Sequence, residues 1–170
     1  MRSQWLIPFL AVSLLSGLVS ANEDMALEPD LRASTELAEE AGYTILRMQD
    51  GFGSADRALL DASLVAPVME ALAPGRPYGF SFSLLDLDAD GDEDVVIFIK
   101  AAGIDPPNGY EGHGAPVLVY IQDDGWRLVL ESGAMAIGVR MMDDGRRALA
   151  LVQDEGFDAY SWQGAALRPD

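Results

Sequence analysis

After Pro77 the apolar residues change period, and no other feature of the chain constrains its fold as strongly. Before that point Leu59, Leu60, Leu64, Val65, Val68, Met69 and Leu72 fall near a helical stripe. Ser54 is placed to cap this helix, and Pro67 is expected to divide or kink it, because proline lacks a backbone donor and clashes with the preceding turn. After Pro77, Phe80, Phe82 and Leu84 alternate with Gly79, Ser81 and Ser83, as in a strand with one buried face. Val95-Val96-Ile97-Phe98-Ile99 is continuously apolar, as in a strand covered on both faces. Further apolar segments follow at residues 117–121, 126–130, 137–141, 148–152 and 157–162. Asp123-Asp124-Gly125 and Asp143-Asp144-Gly145 lie between them, and Asp-Gly supplies the positive φ angles of tight hairpins.

These patterns predict an α+β fold, with N-terminal helices packed on an antiparallel β-meander of about six or seven strands. The helix at 54–72 is expected to cover one face of the sheet. Residues 32–41 are rich in helix formers, with Gly42 as a stop, and 43–48 read equally as a short strand or a helical continuation. An acidic leader and helical segment (22–77) and the meander (78–170) are expected to form one domain.

Residues 1–21 read as a signal peptide. Arg2 supplies the positive start, 6–19 the apolar run, and Val19-Ser20-Ala21 the small residues of a cleavage site. The run is short for a bilayer span, which takes about 20 residues. An uncleaved anchor is the alternative. Cleavage gives a periplasmic or secreted protein with no stable membrane insertion. The chain has 28 acidic and 11 basic residues, and loss of Arg2 leaves 10 basic ones, a net charge of −18. That balance argues against nucleic-acid binding, which needs basic surface. Zero Cys excludes disulfides, thiol nucleophiles and iron–sulfur clusters, and a single His makes a His-based metalloenzyme improbable.

One segment carries a sharp chemical signal. Asp86-Leu87-Asp88-Ala89-Asp90-Gly91-Asp92-Glu93-Asp94 places six carboxylates in nine residues. As an extended strand it would stack its five Asp side chains on one face, with like charges repelling. Wrapped around a divalent cation, the same residues become ligands. Asp at positions 1, 3 and 5 followed by Gly at 6 begins a calcium loop. Asp86, Asp88 and Asp90 would give side-chain oxygens, Asp92 its backbone carbonyl, and Asp94 would close the site. Glu93 would point away. Position 12 is Ile97 rather than a bidentate Glu, so a helix–loop–helix calcium hand does not fit.

Residues 80–100 resemble the FG-GAP/VCBS-type repeat, in which alternate acids and a ninth-position Asp hold calcium between two strands. The chain contains one full copy, whereas a propeller needs at least about four blades. The resemblance therefore implies the loop chemistry, with Ca2+ as the ion, and a small exported bacterial protein rather than a propeller.

Residues 103–114 form a glycine-rich stretch holding the only His, with Tyr110 and His113 as a possible partner-binding tip or simply part of a connection. Trp126, Trp162 and Met141-Met142 are expected to pack, and Glu39-Glu40 to be solvated. No Ser/His/Asp constellation is defensible, and no catalytic residue is assigned. The reading is an exported acidic calcium-binding module, its ion mainly structural, acting as a binding or accessory protein on a protein or glycan partner. Two alternatives stay open: a secreted hydrolase using acidic residues, whose carboxylate pair would need no motif, and an inhibitor of a cationic protein, steered by the negative charge.

Overall fold

A computed structural model describes residues 29–100 and 114–170. The signal-peptide segment, the start of the acidic leader, and Tyr110 and His113 lie outside the described residues.

The predicted α+β fold, a single meander under N-terminal helices, is corrected by the strand pairing: the described residues are mostly β. Among the described residues there are nine strands in two antiparallel sheets, with short helical segments on the outside. One sheet has four strands in sequential order: β2 (Gly79–Leu85), β3 (Asp94–Lys100), β4 (Ala115–Gln122) and β5 (Trp126–Ala134). The other runs β1 (Thr44–Ile45), β6 (Ala136–Met141), β7 (Arg147–Gln153), β8 (Gly156–Gln163) and β9 (Ala166–Pro169). The two sheets share one core, built from Val96, Val117, Val119 and Ile121 on one side and Ile137, Leu149, Leu151 and Trp162 on the other.

The chain changes sheet at one residue. β5 ends at Ala134 and β6 begins at Ala136, and the Met135 N–H donates to the Val152 carbonyl of the second sheet. Glu131-Ser132-Gly133 precedes this corner and looks like an ordinary break between neighbouring strands, so the pattern reads as one meander. All seven expected strand segments fall within β2 to β8. The two short outer strands, β1 and β9, complete the second sheet.

α1 (Pro29–Glu40) lies on the outer face of the second sheet, where Ala38 and Tyr43 meet Ala148, Ala150 and Val152. On the outer face of the first sheet sit α2 (Ala55–Leu60), a π turn (Asp61–Val65) and α3 (Ala66–Leu72). Leu60, Leu64, Val65 and Met69 pack there on Phe80, Phe82, Ile97 and Leu118. Ser54 caps α2, its Oγ accepting from the Arg57 N–H at 3.1 Å. Pro67 sits in the first turn of α3, where the segment is divided from α2 by the π turn. The backbone widens to a π turn just before it, which accommodates a residue with no N–H to give.

Each sheet is therefore covered on both sides. Odd residues of β3 face the helices and Val96 faces the other sheet. Ser81 and Ser83 are buried as well, although alternation had predicted an exposed serine face. Met142 packs as expected, but Met141 is 59 % exposed, because the two occupy opposite faces at the end of β6.

Candidate metal centre

The β2–β3 connection is held from both ends of the acidic segment. Asp94 is the first residue of β3, paired with Leu85, and is fully buried. Its Oδ2 accepts the Leu87 N–H at 2.6 Å, and its Oδ1 accepts the Gln122 N–H at 2.9 Å. One carboxylate thus ties the loop to the end of β4. Leu87 has no exposed surface and joins the core between the sheets, while its carbonyl accepts the Arg147 N–H at 2.8 Å. With Leu87 pinned, its neighbours Asp86 and Asp88 cannot follow it into the core.

Asp86 folds the loop onto itself, accepting from the N–H of Ala89 at 2.8 Å and of Gly91 at 3.2 Å. Gly91 has φ +96°, and Ala89 also adopts a left-handed conformation at +67°. One carboxylate oxygen each from Asp86, Asp88 and Asp94 lie within 4.8 Å of one another. The five predicted ligands are not all placed alike. Asp86, Asp88 and Asp94 converge, whereas the exposed Asp90 and Asp92 stand outside that cluster. Asp90 Oδ1 accepts the Asp92 N–H at 2.9 Å, closing the tip of the turn. Glu93 is exposed.

The cluster concentrates negative charge without a matching cation. Among the described residues, none of its three carboxylates is ion-paired with Lys or Arg. Asp88 Oδ1 is shielded from solvent and has no hydrogen-bond partner. Burial raises the Asp88 carboxyl above its ordinary range, and the charges of Asp94 and Asp90 push it further. Burial likewise raises Asp94, against the lowering effect of its two backbone donors. A cation among the three carboxylates would offset this crowding of like charge. Hard oxygen donors at this spacing suit calcium or magnesium, not a thiolate- or imidazole-seeking metal.

The surroundings are also acidic. The Gln122 and Arg147 hydrogen bonds bring the β4–β5 and β6–β7 turns beside the loop, and Ala89 lies close to Gly145. Asp123, Asp124, Asp143 and Asp144 are exposed there. Arg146 pairs with Asp144 at 2.6 Å, holding that carboxyl below its ordinary range, and donates to the Gly164 carbonyl of the β8–β9 turn at 3.1 Å. The Asp90-Gly91, Asp124-Gly125 and Asp144-Gly145 turns thus meet at one end of the sandwich.

Sequence reasoning found the acids but missed Leu87 as the anchor and Gln122 as a backbone donor. Leu87 was legible as the apolar residue inside an acidic run. Gln122 follows from strand register alone. No family model, curated protein or solved structure matches the chain.

Proposed function

We propose that the 86–94 loop is a calcium site and that the protein is an exported binding or accessory module whose fold the ion stabilises. The convergence of Asp86, Asp88 and Asp94 around a shielded, partnerless Asp88 Oδ1 carries this reading. On it, Asp88 is the ligand most dependent on the ion, while Asp94 holds the loop to β4 and Asp86 shapes the turn. Asp90 and the Asp92 carbonyl complete the shell only if the exposed tip closes inward on binding. The likeness to FG-GAP/VCBS-type loops supports the same ion from the pattern of residues. The acidic end of the sandwich, with nine carboxylates on the β2–β3, β4–β5 and β6–β7 connections and Asp94 at the start of β3, favours a partner with complementary positive charge.

Calorimetric titration tests the site. Calcium is expected to bind with Kd on the order of 0.1–1 mM, as extracellular calcium modules do, and magnesium more weakly. Asp88→Asn preserves shape but removes the charge, and should weaken calcium at least about tenfold. Equal calcium affinity in both proteins would refute the assignment.

A further inference from the structure

A second concavity lies beside the acidic loop but does not use its convergent carboxylates. It occupies about 290 Å³ between α2, the start of β3 and the β4–β5 turn. Its apolar lining comes from Leu59 and Leu60 of α2, Leu84 of β2 and Trp126 of β5. Leu59 is 59 % exposed, beside the buried Leu60 that anchors the short helix. Asp56 of α2 and Glu93 of the β2–β3 connection supply carboxylates to the lining, and neither is ion-paired among the described residues. Gln122 also lines the cleft, and its side-chain carbonyl oxygen is shielded with no hydrogen-bond partner. Acceptors therefore outnumber donors, no Lys or Arg contributes to the lining, and an indole is available to a cation.

We propose that this cleft binds a small organic cation with an apolar body, of arylalkylamine size. The volume sits at the lower end of small-molecule sites, which is too small for an extended ligand. An apolar body would cover Leu59, Leu84 and Trp126. The ammonium group would donate to the Asp56 and Glu93 carboxylates. An anion would be repelled by both carboxylates, and a neutral molecule would leave them without a counter-charge. Glu93 belongs to the 86–94 loop but not to the Asp86–Asp88–Asp94 cluster, so the cleft and the metal site use different carboxylates.

Calorimetric titration of the purified protein with phenylpropylamine, phenylpropanol and phenylpropionate, all in the same calcium-containing buffer, tests this. Saturable one-site binding of the amine is expected, with Kd on the order of 1 mM or tighter for a ligand of about ten heavy atoms. The alcohol should bind at least about tenfold more weakly, and the acid should show no binding. Glu93→Gln should weaken the amine at least about fivefold. Leu59→Lys, at an exposed position, places a competing ammonium at the mouth and should abolish binding without disturbing the core. Folding of both variants is checked by their melting curves. Equal affinity for amine and alcohol would overturn the proposal. So would amine binding unaffected by Leu59→Lys, which would mean diffuse attraction to the acidic surface.

Discussion

At the scale of single residues, Asp88 and Asp94 set the pH behaviour. Both carboxyls are raised by burial, so the folded chain holds their protons more tightly than the unfolded chain does. Above the raised values they destabilise the metal-free fold. That penalty is relieved as pH falls through those values toward the ordinary carboxylate range. Calcium competes with the same protons. Between neutral pH and the ordinary carboxylate range of about pH 4 the metal-free protein should therefore gain thermal stability, and the calcium-induced rise in Tm should shrink. Asp144 acts in the opposite sense, but its carboxyl is lowered by Arg146, so its contribution is lost below that window. Melts at both pH values with EDTA or calcium check this, and a calcium shift independent of pH would contradict it. A second residue-scale prediction concerns Gly114, at the entry to β4. It has φ +79°, and a Cβ there would collide with the Ala134 carbonyl. Gly114→Ala should destabilise by more than about 1 kcal/mol in denaturant unfolding, and an unchanged midpoint would contradict it. The carboxylates were legible as a pattern, because ligand spacing is local. The roles of Asp94 and Gln122 were not, because they depend on a hydrogen bond across 28 positions of sequence.

At the scale of elements, the β2–β3 connection behaves as part of the core. Leu87 is buried among Val96, Val119 and Leu149, so the loop cannot move without opening the space between the sheets. Leu87→Ala should cost about 2–5 kcal/mol and weaken calcium binding as well, whereas Leu87→Met should cost less than about 1.5 kcal/mol. Denaturant unfolding of the two variants, with and without calcium, measures both. A loss below about 1 kcal/mol for Leu87→Ala would show that the loop is not anchored there. Elements were largely legible where their period was clear, as in α2 and in β2 to β8. The sheet change was not, because Glu131-Ser132-Gly133 looks like any break between neighbouring strands and the corner is set by pairing with β7. For the same reason the buried serines of β2 could not be foreseen. Alternation reports which face is more apolar, and only the second sheet determines that the other face is also covered.

At the scale of the whole molecule, the architecture converts a scattered acidic composition into a polar end. Chain-wide charge was plain in the sequence, but its concentration follows from the topology. The β2–β3, β4–β5 and β6–β7 connections lie at the same end of their sheets, and Arg146 and Arg127 fasten that end to the β8–β9 turn through the Gly164 and Ala165 carbonyls. Ten carboxylates against Arg127, Arg146 and Arg147 repel one another across it. Monovalent salt should therefore raise Tm in EDTA by screening, and millimolar calcium should leave less for salt to do. A melting temperature that is insensitive to salt in EDTA would contradict this distribution of charge.

The most direct test of the central claim is a thermal melt of the protein in EDTA and in millimolar calcium, beside Asp88→Asn. At about tenfold excess over its affinity, calcium should add about 1.4 kcal/mol, raising Tm by several degrees. The variant should show little or no rise. Equal melting temperatures with and without calcium in the native chain would mean that Asp86, Asp88 and Asp94 meet without holding an ion, and the account of the loop as a calcium site would fail.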